Sequence, residues 1–275
     1  MKITASEVNK LRQQTGAGMM DCKKALEEAQ GDFDTAVDIL RKKGQKVAAK
    51  RGDRETSEGV VLAKTTADGK KAAVIVLNCE TDFVAKNEAF GAVANSILDV
   101  AINETPASLD ELKSKPFPGS AVSIGEKIIE EIGKIGEKIE LSAFETVQGE
   151  SVVAYNHPGN GLASIVSFNK PAGEDITKDV AMQVAAMAPV AVNEDSIPED
   201  VIAKELEIGK ELAIQEGKPA EMADKIAQGR LKKFFKESTL LNQAFIKDNK
   251  VSIAAYLQQQ EEGLTVTAFK RASLS

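Results

Sequence analysis

The chain has 275 residues, with 35 Lys and Arg against 42 Asp and Glu and a single His, for a net charge of −7; at roughly 100–200 residues per domain this length predicts two or three domains. The acidic balance argues against sequence-independent nucleic-acid binding, so no direct nucleic-acid partner is expected. One histidine, His157, cannot build a two-His metal site, and any Ser or Cys triad would have to run through it.

Residues 1–53 read as three short helices. Thr4-Ala5-Ser6-Glu7 is a capping-box pattern, followed by Val8 and Leu11 at helical spacing. Gly16-Ala17-Gly18 breaks this helix. The next carries Cys22, Ala25, Leu26 and Ala29 on one face, and Gly31-Asp32 caps a third with Phe33, Ala36, Val37 and Leu40. Seven bases then fall between Leu40 and Glu55. Residues 1–55 are net +3 and the rest of the chain net −10, so this stretch is expected to be a solvated basic linker to about residue 55, or a dock for an acidic partner.

From residue 56 the period shifts toward two. Val60–Ala63, a turn at Asp68-Gly69 and Ala72–Asn78 predict a hairpin, and a helix with Phe90, Val93, Ile97 and Val100 follows. The layout recurs later: Val152–Tyr155, a turn at Pro158–Gly161, Ala163–Asn169, then a helix from Ile176 to Met187. The two are read as copies of one hairpin-plus-helix unit, residues 56–148 and residues 149–190 with 238–275. Between them lie an amphipathic helix marked by Ile124, Ile128, Ile132 and Ile135, and a strand with Ile139, Leu141 and Ala143. Residues 191–237 are assigned to an inserted helical hairpin, turning at Gly217-Lys218-Pro219 and poor in large apolar residues. The fold class expected is α+β.

Chemical motifs are mostly absent. There is no GxxxxGK[ST], and Gly16-Ala17-Gly18 lacks the third glycine of a dinucleotide loop. Cys22 and Cys79 form no CxxC and read as buried thiols in a reducing cytoplasm. The longest near-continuous apolar stretch, Val180–Val192, is interrupted by Gln183 and Pro189 and is too short for a bilayer, so no membrane contact is expected. Met1 to Glu7 has no apolar run, and no secretion leader is expected. The chain is expected to make and break no bonds and to need no metal or other cofactor. His157, beside a Pro-Gly turn, reads as a polar turn or interface contact.

One junction is odd. The first hairpin runs into Glu80-Thr81-Asp82-Phe83-Val84-Ala85-Lys86-Asn87, where the second has Lys170-Pro171-Ala172-Gly173-Glu174-Asp175. In the plainer reading Thr81 or Asp82 caps the following helix and Phe83 folds underneath as a hydrophobic staple. In the other, Phe83 is presented outward as an anchor for a partner's pocket, with Asp82 beside it.

Leu11-Arg12-Gln13-Gln14-Thr15-Gly16-Ala17-Gly18-Met19-Met20-Asp21-Cys22-Lys23-Lys24-Ala25-Leu26 resembles the N-terminal signature of bacterial translation elongation factor Ts. Leu77-Asn78-Cys79-Glu80-Thr81-Asp82-Phe83-Val84-Ala85-Lys86 resembles the second signature of that family, and weaker similarity continues through Lys134–Glu137, His157 and Gly217-Lys218-Pro219 to Phe269. The resemblance implies a ubiquitin-associated-like N-terminal bundle, a two-subdomain core and an inserted coiled-coil hairpin. It implies a guanine-nucleotide exchange factor that binds elongation factor Tu, GDP-bound or nucleotide-free, and dislodges its Mg²⁺ to promote GDP release. Thr81, Asp82, Phe83 and Val84 would form the wedge, with Lys23, Ile135, Gly136 and His157 as further contacts. Longer members continue past the strand Leu264–Phe269 into a helical module that this chain is expected to lack. Two matters stay open on the residues: a non-exchange adaptor working through the N-terminal bundle, and a homodimer through residues 191–237.

Overall fold

Three short helices open the computed structural model, which describes residues 3–274; Met1, Lys2 and Ser275, in the first and last segments assigned above, lie outside the described residues. They are α1 (Ala5–Thr15), α2 (Met19–Glu28) and α3 (Phe33–Lys50). Local chemistry sets three of these boundaries. The Glu7 N–H donates to Thr4 Oγ1 at 3.3 Å and the Thr4 N–H to Glu7 Oε2 at 2.7 Å, the reciprocal pair of a capping box. Gly16, at φ +70°, ends α1 in the left-handed conformation that glycine adopts without strain. Asp32 accepts the Thr35 N–H at 2.8 Å and starts α3. Leu11, Cys22, Leu26 and Ala36 are fully buried in the small core these helices share.

The body follows in chain order. Strands β1 (Glu58–Thr65) and β2 (Lys71–Cys79) lead into helices α4 (Asp82–Ala85), α5 (Glu88–Glu104), α6 (Leu109–Ser114) and α7 (Ile124–Ile135), then β3 (Ile139–Gln148). The second unit has β4 (Ser151–Asn156), β5 (Leu162–Phe168) and α8 (Glu174–Met187). A 3-10 turn at Glu194–Ser196 precedes α9 (Glu199–Gln215) and α10 (Ala220–Ser238). The chain closes with β6 (Ala244–Phe245), β7 (Asp248–Ser252), α11 (Ile253–Gln260) and β8 (Val266–Ser273). The fold is α+β. Each expected hairpin is completed into a three-stranded antiparallel sheet, β1-β2-β3 and β4-β5-β8.

Sheet-on-sheet packing explains why Ala72–Leu77 reads as a continuous apolar run rather than an alternation. Ala73, Ile75, Leu77 and Cys79 face α5, α6 and α7, whereas Ala72, Val74 and Val76 face Ala163 and Ile165 of the second sheet. A strand covered on both faces has no polar side. The layers are therefore helices, sheet, sheet, helices, with α8 and α11 outermost on the second side. The β4–β5 turn is fastened to the first sheet: the Asn160 carbonyl accepts the Val61 N–H at 2.7 Å, and the Asn156 side chain takes both backbone groups of Ala63 at 2.7 and 2.9 Å.

The basic stretch after Leu40 corrects an expectation. It is no solvated linker but largely the later turns of α3, laid across α7. A Cβ at Gly44 would sit 2.8 Å from the Ile129 carbonyl oxygen, and one at Gly133 only 2.9 Å from Gly44 Cα, so the two backbones meet with no side chain between them. Three of the seven bases find acids within the chain: Arg41 pairs with Glu130 at 3.2 Å, Lys43 with Asp21, and Arg51 with Glu80 at 2.8 Å. A linker read from charge alone is a docked helix because the complementary carboxylates arrive from distant segments.

Helices α9 and α10 pack on each other through small residues, with Gly209 against Ala227 and with Ala213 and Ala223 buried. Ile208, Leu212, Ile214 and Met222 stay exposed. The two feet of this hairpin are stitched together: the Leu240 N–H donates to the Ala191 carbonyl at 2.9 Å and the Leu241 N–H to that of Val192 at 3.0 Å. No described helix is long and apolar enough to cross a membrane.

Candidate partner-binding surface

Phe83 sits in α4, a single turn of four residues between β2 and α5, and is 83% exposed. The staple reading of this junction is overturned. Thr81 is the N-cap of α4 by position, yet its side chain makes no capping bond to the helix. The residue that staples inward is Val84, half-buried against the first core, one place beyond Phe83 on the turn. A four-residue helix cannot turn two successive side chains to the same face. Once Val84 is anchored, Phe83 points to water, which removes from the core a side chain whose full burial is worth ~1.5–3 kcal/mol.

The surroundings of Phe83 are charged and tied down. Asp82 is half-buried and accepts Lys86 Nζ at 2.6 Å, an i,i+4 pair across the turn. The Lys86 hydrogen bond and charge hold the Asp82 carboxyl below the usual carboxylate range, and Asp82 in turn raises Lys86. Thr81 donates its N–H and hydroxyl to the two oxygens of Glu137, at 3.0 and 2.8 Å. Glu80 accepts the Lys138 N–H at 2.6 Å and Arg51 Nη1 at 2.8 Å. Burial pushes Glu80 up, but the Lys138 and Arg51 bonds outweigh it and its carboxyl ends below the ordinary value. Cys79 is buried and free; burial and then the Glu137 charge push its thiol up to about 11, so at neutral pH it is a packing residue and no nucleophile.

The Glu137 bonds bring the end of α7 beside the 81–84 turn. Ile135 is the last residue of α7 and 36% exposed, and Gly136 ends the helix at φ +80°. Thr81–Val84, Ile135 and Gly136 are thus one neighbourhood. Lys23 and His157 are elsewhere. Lys23 lies on the exposed side of α2, 3.8 Å from Glu27. His157 stands exposed at the β4–β5 turn, with Nδ1 3.0 Å from the Tyr155 hydroxyl. Among the described residues no hydrogen bond or ion pair joins either of them to the 80–86 segment. The residues that sequence reading left without a role are Arg51, Glu80 and Glu137. Their signal, two carboxylates next to polar turns, is indistinguishable in sequence from solvated surface acids.

The surface offers shape and hydrophobicity and no reactive set. Among the described residues no group of three or more His, Cys, Asp or Glu is placed to hold a metal ion. A cleft of about 390 Å³ between the bundle and α7 is lined by Thr15, Val37, Phe117 and Lys134 and by charges already paired, such as Arg41 with Glu130. It is the seam of the docked bundle, away from Phe83.

Comparison with known proteins agrees with the sequence resemblance. The profile of a family described as "Elongation factor TS" matches residues 80–275. The chain is 53% identical over 274 residues to "Elongation factor Ts" of Amoebophilus asiaticus (strain 5a2), covering 98% of both chains. It is 51% identical over 275 residues to the protein of the same name from Christiangramia forsetii, with 99% of each chain covered. A Porphyromonas gingivalis protein, again "Elongation factor Ts", is 47% identical across 100% of this chain and 99% of its own.

Proposed function

The chain belongs to the elongation factor Ts family, which places it among translation elongation factors, and from that premise we propose that it is a guanine-nucleotide exchange factor for elongation factor Tu. The observation that carries the reading is Phe83: a large apolar side chain, 83% exposed, on a turn held by hydrogen bonds at Thr81, Asp82 and Lys86 and by the packing of Val84. Solvent exposure of one aromatic at the apex of a fixed turn is the form of an anchor for a partner's pocket.

In this reading Thr81, Asp82, Phe83 and Val84 are the wedge, and the Phe83 ring enters an apolar pocket of the GTPase. The displacement takes the protein groups around the partner's Mg²⁺ out of place. The ion is the largest local counter-charge on the nucleotide phosphates, so its loss weakens the whole nucleotide site. Ile135 and Gly136 extend the contact beside the wedge, and Lys23 and His157 serve as separate contacts from the bundle and the second sheet. Residues 1–53, 56–148, 149–190 with 238–275, and 191–237 act as the bundle, the two core subdomains and the inserted hairpin. The factor works in the cytoplasm, uses no cofactor of its own and changes no covalent bond.

The energetics are those of reciprocal linkage: factor and nucleotide weaken each other's binding by the same ratio. Each tenfold loss of nucleotide affinity corresponds to about 1.4 kcal/mol drawn from the factor's interface, so a four-decade effect needs roughly 5–6 kcal/mol of coupling. Contacts spread over the bundle, both sheets and the wedge suit that demand.

The test is stopped-flow release of labelled GDP from elongation factor Tu, with and without the chain. Acceleration by catalytic amounts is the expected result. Binding to the GTPase with no change in release would leave an adaptor in place of an exchange factor.

A further inference from the structure

Thr81 is the last residue before half-buried Asp82 and exposed Phe83, and three of its groups are held. Its N–H and hydroxyl take the two oxygens of Glu137, and its carbonyl accepts the Cys79 thiol at 3.2 Å. One carboxylate therefore fixes both the backbone and the side chain of one residue. The bond pattern is mirrored: Glu137 receives from the turn at 81, and Glu80 receives the N–H of Lys138. The two turns exchange carboxylates crosswise. Arg51, at the end of α3, closes the Glu80 side, and Lys138 Nζ donates to the Gly52 and Arg54 carbonyls at 2.9 and 3.1 Å.

This brace is more than packing. Thr81 and Glu137 are both half-buried, outside the core. Helix α4 has four residues, and so short a helix does not hold itself in water. An exposed Phe on an unbraced turn would sample many directions, and docking would have to freeze them. We infer that Glu137 is a positioning residue for Phe83: its bidentate hold on Thr81 pre-orders the 81–84 turn, so that the ring meets its pocket already aimed. The inference rests on the exchange reading above and deepens it by naming what aims the wedge.

The test uses the full chain and labelled-GDP release from elongation factor Tu, titrating the factor to separate half-saturation from the maximal rate. Glu137→Ala is expected to raise the half-saturating concentration five- to tenfold. Glu137→Gln restores it to within twofold, because the amide oxygen can take the Thr81 N–H while the amide donates to the Thr81 hydroxyl. Thr81→Val, which loses only the hydroxyl bond, is expected to give a two- to threefold change and serves if Glu137→Ala does not fold. In a Phe83→Ala background Glu137→Ala should add less than twofold. Full stimulation by Glu137→Ala beside an impaired Phe83→Ala overturns the inference, as does an equal loss from Glu137→Ala in both backgrounds. Full stimulation by Phe83→Ala itself is the separate result that removes the wedge.

Discussion

The two hairpin-to-helix junctions of this chain are the same place in the same unit, built to different ends. After β2 comes a polar turn braced by Glu137 with Phe83 standing in water; after β5 come Lys170, Pro171, Ala172 and Gly173, where Ala172 folds against the second core and no large apolar residue is displayed. Topology therefore does not force an aromatic outward at such a junction. The second copy is an internal control for the first. It shows that the hairpin, the turn and the following helix are satisfied with a Pro-Gly connector, and that Phe83 must be accounted for by something outside the fold.

The sharpest way to break this contrast is at Phe83. Phe83→Ala should slow stimulated GDP release tenfold or more, a loss of at least about 1.4 kcal/mol, while the melting temperature stays within a degree or two because so exposed a ring contributes little packing. Asp175→Ala, in the first turn of α8 at the second junction, should leave stimulation unchanged in the same stopped-flow assay. Equal losses at both junctions would dissolve the distinction.

A second contrast concerns what each copy carries. The first bears a helix docked backbone to backbone at Gly44 and Gly133; the second bears a hairpin whose helices meet at Gly209 and Ala227. Gly44→Ala should cost about 1–3 kcal/mol by overpacking, because its neighbour is backbone that cannot yield. Gly209→Ala meets Ala227 Cα at 3.1 Å and should cost less, about 1 kcal/mol or under, offset in part by alanine's better helix propensity. Chemical denaturation of the two variants, compared by midpoint, orders the sites.

The smallest effect is electrostatic. The depressed carboxyl of Glu80 contributes stability that is present above the ordinary carboxylate value and is lost as pH falls through its lower folded value. Glu80→Gln should therefore flatten the acid limb of the stability profile and lower stability near pH 7 by about 0.5–1 kcal/mol, the scale of a partly exposed pair. Urea unfolding between pH 3 and 7 measures it. Among the described residues the second junction holds no carboxylate bonded as Glu80 is.

What could be read in the sequence was local. The capping box at Thr4–Glu7, the glycine stops at 16 and 31 and the paired hairpins all depend on residues a few places apart, and the structure places them where the pattern puts them. What escaped was set at long range. The sequence separation between Thr81 and Glu137 is 56 residues, and that between Arg41 and Glu130 is 89. A carboxylate on a turn and a base on a helix look solvated until the fold brings them together. The direction of Phe83 was open for a related reason: it depends on whether Phe83 or Val84 wins the inward position, and both are apolar.

The stitched feet of the α9–α10 hairpin have a consequence for how the chain can be edited. Val190 to Val192 and Ser238 to Leu241 run side by side, with the Val190 N–H on the Ser238 carbonyl at 2.8 Å and a parallel bridge between Ala191 and Thr239. To the second sheet, everything between those feet amounts to a tight turn. The insertion is a cassette: a short loop spliced across its base would leave β8 free to return to β5, and the module could be deleted, lengthened or exchanged without asking the core to refold around it.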